Sequence, residues 1–286
     1  MKSKIKFTNL NRLLFLVTKI LFKDPKIYVV SILIPMVLSF LLYWVWGKMI
    51  VNVIYTPQLF GFLSIGSIMV GFYLSLVVTE WKSTNFLKKI KGSGISSLDI
   101  MLVLFVNAII FSFISIVFSA SLAAITTRFI PMFPIDFSML INATWYIWIF
   151  FLLSSFLMSI VSLMIFISIS NISNNKYIIL AINTAALFII ILLCDLTIIP
   201  YITSKIKFIA VLEYLNPLKY CVWIIYLITS YQFIDSFGIQ QILSTNNISG
   251  LFVSFNNIYI PLFISVLVLI SMCLYIKYKF SWGVKN

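Results

Sequence analysis

Six stretches of about 20 apolar residues recur along the chain, each long enough to cross a hydrocarbon core of ~30 Å at 1.5 Å per helical residue. They run Ile27–Trp46, Leu59–Thr79, Ile100–Ile125, Ala143–Ile169, Tyr177–Ile199 and Ile258–Ile276. Backbone groups in hydrocarbon find partners only inside a helix or a closed barrel, and stretches of this length predict an all-α polytopic membrane protein with six transmembrane helices. The charge content agrees. Only 9% of the residues are charged and 62% are hydrophobic, whereas a soluble domain carries about a quarter charged residues. Tyr28, Trp145, Trp148, Tyr259 and Tyr275 fall near the ends of the stretches, where aromatic belts belong.

Lys and Arg number 20 against 7 Asp and Glu. Segments left in the cytoplasm are enriched in Lys and Arg, and placing both termini inside puts fifteen of these cations in the cytoplasm and five outside. The chain is thus expected in the cell membrane with both termini cytoplasmic. The basic excess reads as orientation beside anionic lipid rather than as a nucleic-acid surface. The first stretch follows seven basic residues without a small-residue cleavage site, so it is expected to be retained. The chain has no His, which removes Ser-His catalysis and His-based metal sites. Cys194, Cys221 and Cys273 lie far apart in apolar sequence and read as small buried hydrophobes.

Three segments are not simple spans. Within residues 1–26, Arg12 and Lys19 share one helical face while Leu10, Leu13, Leu14, Val17 and Leu21 share the other. This predicts an amphipathic helix on the cytoplasmic leaflet, ended by Asp24-Pro25, with an extension of the first span as the alternative. Residues 80–98 hold Glu80, Lys82, Lys88, Lys89 and Lys91 around an apolar stripe of Phe86, Leu87 and Ile90, stopped at Gly92. Here a short helix that docks on a partner competes with a solvated basic loop. Residues 200–257 are expected outside. Within them Asn216 to Gln232 is too apolar for an exposed loop and too short for a span. Asn216-Pro217 suits a helix start, so this segment reads as a re-entrant hairpin or, alternatively, as a small external subdomain. A short basic tail, 277–286, follows the last span.

This order of parts resembles the type-2 permease family of ATP-binding cassette (ABC) exporters. The likeness rests on the amphipathic helix, Asp24-Pro25 before span one, Pro35 within it, the basic loop led by Glu80, Leu98-Asp99-Ile100 at span three, and Asn216-Pro217-Leu218 with Tyr220. The family's Gly-Thr-Leu after the acid is replaced here by Thr84-Asn85-Phe86-Leu87. The resemblance implies a permease subunit paired with a second copy or a paralogue and driven by separate ABC ATPase subunits. ATP and Mg²⁺ would then belong to the partner, with no cofactor in this chain. Glu80, Lys82, Phe86, Leu87, Lys88, Lys89 and Ile90 would couple it to the ATPase, and Asn216, Pro217 and Tyr220 would shape an external gate. Independently of the family, the chain lacks a phosphate-binding loop, because Leu42 stands where its first Gly belongs before Gly47-Lys48.

Polar residues inside the spans are few. Asp195, about four residues from the outer end of its stretch, is a functional candidate or a structural partner of Lys205 or Lys207. Asn107 and Asn183 need hydrogen-bond partners within the protein. Ser67, Gly71 and Ser75 on span two, and Ser155, Ser159 and Ser162 on span four, favour close helix packing, with a polar translocation wall as the other reading. Spans so poor in fixed charge suit export of an amphipathic or hydrophobic substrate, such as a peptide, drug or lipid-linked molecule. A secondary transporter or channel without an ATPase, or a non-transporting sensor or assembly partner, stands as the alternative.

Overall fold

The computed structural model describes residues 2–49, 54–129, 140, 142–173, 175–198, 200–230, 237–245 and 250–283, with backbone alone at 2–9, 48–49 and 127–129. Ile199 and Gln232, the expected ends of the fifth span and of the hairpin, lie outside them. Among the described residues the protein is all-helical, with five helices long and apolar enough to cross a membrane.

Helix α1 (Lys2–Lys23) has the expected buried stripe of Leu13, Val17 and Leu21. That stripe packs on the protein's own α7 (Ser97–Phe129), and among the described side chains of α1 Phe15, Leu16, Ile20 and Phe22 are left outward. Asp24 then caps α2 (Pro25–Tyr28), its Oδ1 accepting from the Lys26 amide at 3.0 Å. The first span continues as a π-helical turn at Val29–Leu33 and α3 (Ile34–Met49). Pro35 has no N–H to give to the preceding turn, and the break it forces is taken up by this wider turn.

The second span is α4 (Thr56–Leu63) followed by α5 (Ile65–Ser83), joined at Ser64. It is the buried axis of the protein, packed most extensively on α8 (Trp145–Ile169) and also on α7. Small residues make this approach possible. Ser67 and Ser112 share a 2.6 Å hydrogen bond, Ser162 Oγ donates to the Ile68 carbonyl at 3.0 Å, and a Cβ on Gly71 would lie 2.6 Å from the Leu163 backbone nitrogen. Packing is therefore the structural role of that stripe. At the start of α7, Ser96 and Asp99 form a reciprocal cap: the Ser96 amide and hydroxyl donate to Asp99 Oδ2, and the Asp99 amide donates to Ser96 Oγ.

The fifth apolar stretch departs from expectation. Helix α9 (Lys176–Leu192) has 17 residues and stops seven short of the expected end at 199. A left-handed turn at Asp195 follows, φ +62°, a conformation that Asp tolerates. The chain then forms α10 (Pro200–Lys205), α11 (Lys207–Glu213), α12 (Pro217–Thr229) and α13 (Gly238–Leu243), before the last span, α14 (Tyr259–Lys279). Helices α11 and α12 meet at 104°. Helix α12 is buried on all sides, enclosed by α4, α8 and α14. It approaches α4 closely at Gly61, where any Cβ would meet the ring of Tyr226.

Candidate functional site

Two polar groupings stand out, one at each end of the bundle. At one end, Asn85 adopts φ +58° and turns the chain from α5 into α6 (Phe86–Gly92). A helix of two turns hides its apolar side on the nearest apolar surface. Here that surface is the protein itself: Leu87 and Ile90 are buried in the inner core, and Phe86 packs on Trp81 with ring centres 5.2 Å apart. The stripe expected to meet a partner therefore faces inward. Lys82 does as well. Its Nζ donates to the Ser170 carbonyl at 3.2 Å and to Asn171 Oδ1 at 2.6 Å, and lies 5.4 Å from the Phe280 ring centre. Ser281 Oγ donates to the same Asn171 oxygen, so Lys82 knots the ends of α5, α8 and α14. The outward groups on α6 are Lys88, Lys89 and Lys91, the last held over the Trp282 ring at 5.6 Å.

Beside this elbow, a cavity of about 480 Å³ opens between the π-helical turn, α5 and α9. Val29, Val30, Leu76, Val77 and Leu180 line its apolar wall. Its rim is Glu80 between two cations, Lys26 at 3.6 Å and Lys176 at 3.9 Å. Exposed pairs of this kind contribute about 0–1 kcal/mol each, so the rim parts easily, and Asp24, which accepts from the lining Tyr73 hydroxyl, balances the second cation. Asn183, one turn beyond Leu180 on α9, is buried, and neither of its amide atoms has a hydrogen-bond partner among the described residues. Asn107 is further away in kind: its Nδ2 donates within its own helix to the Val103 carbonyl at 2.8 Å, and its Oδ1 has no partner there.

At the other end, Asp195 is paired with neither Lys205 nor Lys207. Its partner is Lys219, in the first turn of α12, whose Nζ lies 3.3 Å from Asp195 Oδ2 and 2.6 Å from Glu213 Oε2. All three side chains have no exposed surface. Trp223 Nε1 donates to Asp195 Oδ2 at 2.6 Å, Thr203 Oγ1 donates to Oδ1 at 3.0 Å, and the Tyr226 hydroxyl donates to the Asp195 carbonyl at 2.7 Å. Lys205 instead lies over the Tyr201 ring at 4.0 Å. The elbow is held by Asn216, whose Oδ1 accepts from the Leu218 amide while its Nδ2 reaches the Ile190 carbonyl at 2.8 Å, and by Tyr220, whose hydroxyl donates to the Tyr214 carbonyl. Pro217 occupies the first helical position. Glu213, Lys219 and Trp223 escaped the sequence reading. The available signal was a Glu and a Lys six residues apart, on either side of Asn216-Pro217 and next to a helix too apolar to face water.

The chain matches no protein-family model, no curated protein and no solved structure.

Proposed function

We propose that the chain is the transmembrane permease subunit of an ABC exporter, set in the cell membrane with both termini cytoplasmic and paired with a second copy or a paralogue. In this reading α9, about 26 Å long at 17 residues, is the fifth of six spans, and α11–α12 is a re-entrant hairpin. ATP is hydrolysed on separate subunits. The observation that carries the reading is the α5–α6 elbow, a short helix whose apolar side is locked into the core while three lysines point outward. A push on α6 passes through Leu87 and Ile90 to α5, the helix on which α7 and α8 pack. The basic face of α6 suits an acidic docking surface on the ATPase. The cavity at Lys26, Glu80 and Lys176, apolar inside and lined at its rim by charges of both signs, suits an amphipathic substrate.

The test is copurification. Lys88→Glu with Lys89→Glu reverses two outward charges without touching the core, so membrane insertion is retained while ATPase recovery with the tagged chain falls about tenfold, equivalent to ~1.4 kcal/mol. Unchanged recovery and transport would remove α6 as the docking helix. Absence of any ATPase from the wild-type preparation would remove the reading altogether.

Orientation is tested separately. Ser93 and Asn256 are both exposed. Cysteine at Ser93 is expected to react with an impermeant thiol reagent only in inverted vesicles, and cysteine at Asn256 only in intact cells. The reverse pattern would invert the topology.

A further inference from the structure

The cluster of Asp195, Glu213 and Lys219 has no part in the reading above, and its charges do not balance. Two carboxylates share one ammonium in an enclosure with no exposed side-chain surface. Fully ionised, the cluster carries one uncompensated negative charge where water does not disperse it.

The hydrogen bonds distinguish the two acids. Asp195 is supplied on both oxygens: Thr203 donates to Oδ1, Trp223 donates to Oδ2, and Lys219 faces Oδ2. Each of its oxygens therefore has a donor. Glu213 accepts from Lys219 through Oε2 alone, and its Oε1 is buried with no hydrogen-bond partner among the described residues. A proton on Oε1 removes the excess charge at the one carboxylate oxygen that nothing else serves. A hard cation fits poorly, because it takes about six oxygens, and the ammonium already lies between the carboxylates.

The remaining groups that face the cluster are committed elsewhere. Tyr226 gives its proton to the Asp195 carbonyl and Tyr214 gives its own to the Ser254 carbonyl at 2.9 Å, with the Tyr214 ring 4.8 Å from the Lys219 nitrogen. Tyr220 donates to the Tyr214 carbonyl and Cys194 to the Ile191 carbonyl. No other Lys, Arg, Asp or Glu among the described residues forms an ion pair with the cluster.

Position gives the charge a mechanical consequence. Asp195 lies in the turn after α9, Glu213 ends α11, and Lys219 is in the first turn of α12. The cluster thus ties the end of α9 to both arms of the 104° elbow.

We propose that the Asp195–Lys219–Glu213 cluster is a proton-binding site, with one proton on Glu213 whose release opens the α11–α12 elbow. On release the O–H bond of the Glu213 acid breaks, the electron pair stays on Oε1, and the proton passes to water admitted as the arms separate. The closed elbow is the protonated form, so it opens as pH rises. The inference is independent of whether an ATPase partner exists.

The native cysteines supply the test in the full-length protein in lipid nanodiscs. Cys194 adjoins Asp195 and Cys221 lies on α12; both are buried, whereas Cys273 on α14 is partly exposed. Thiol alkylation rises about tenfold per pH unit while the thiol is mostly un-ionised. Opening linked to one proton adds up to about tenfold per unit. Over the range where Glu213 titrates, Cys194 and Cys221 are therefore expected to approach a hundredfold per unit against about tenfold for Cys273. In Glu213→Gln the steeper dependence disappears and all three thiols run in parallel. In the wild type, infrared spectra are expected to show a carboxylic-acid C=O band at neutral pH that fades over the same range, a measurement that needs no variant. Parallel wild-type slopes would overturn the proposal, as would the absence of the acid band at neutral pH or an unchanged steep slope in Glu213→Gln.

Discussion

Lys219→Met is expected to destabilise the folded protein by about 3–5 kcal/mol, the cost of leaving a buried ion cluster without its opposite charge. Methionine fills much of the same volume, so the loss reports charge rather than a cavity. Lys219 holds Glu213 and Asp195 together at 2.6 and 3.3 Å. Without it Asp195 keeps only the Trp223 and Thr203 donors, and the link between the α9 turn and the elbow is broken. The measurement is thermal unfolding in detergent, followed by tryptophan fluorescence, since Trp223 itself reports on the cluster. Adding Asp195→Asn to Lys219→Met removes the orphaned charge, and Glu213→Gln keeps its neighbour neutral, so the triple variant is expected to recover most of the loss. If Lys219→Met alone unfolds within about 1 kcal/mol of wild type, the cluster is not the brace between the α9 turn and the elbow.

The second large effect belongs to the seam between α5 and α8. Gly71→Ala places a Cβ 2.6 Å from the Leu163 backbone nitrogen and into the Ser162 side chain. Because the nearest obstacle includes backbone, the helices themselves must separate, which costs about 1–3 kcal/mol for overpacking by one methyl. Gly71→Val is expected to exceed that and to lower the yield of folded protein. Gly92→Ala is the internal control. A Cβ there meets nothing within 4 Å, and the reduced freedom of the unfolded chain favours alanine by about 0.4–1 kcal/mol. Equal behaviour of Gly71→Ala and Gly92→Ala would show that α5 and α8 do not pack as closely as described.

Much of the architecture follows from local chemistry along the chain. Hydrocarbon tolerates only satisfied backbones, so runs of about 20 apolar residues become helices regardless of what surrounds them. The third, fourth and sixth stretches accordingly appear as Ser97–Phe129, Trp145–Ile169 and Tyr259–Lys279. The helix start at Asn216-Pro217 was equally legible, because a cap acts over two or three residues and Asn216 closes a local hydrogen bond to Leu218; Asp24-Pro25 read as the end of the first helix and also caps the next one. The small residues of α5 marked a close contact before its partner was known.

Pairing across the fold was not legible, since no local periodicity encodes it. The apolar stripe at Phe86, Leu87 and Ile90 has the same pattern whether it meets another subunit or its own core, and only the placement of α1 and α5 turned it inward. Lys82 reads as one more cation of a basic loop until Ser170 and Asn171 arrive from α8 and enclose it. Asp195 had nearby cations at Lys205 and Lys207 in the sequence, yet it pairs with Lys219, 24 positions away, because the 104° elbow folds α12 back beneath the α9 turn. A buried charge takes the partner that three-dimensional packing delivers to it, and the energy of that choice exceeds any preference written in neighbouring residues. Apolar length and caps therefore decided the helices from the chain alone, while the charge that each helix end carries, and what it holds, was decided only when the helices met.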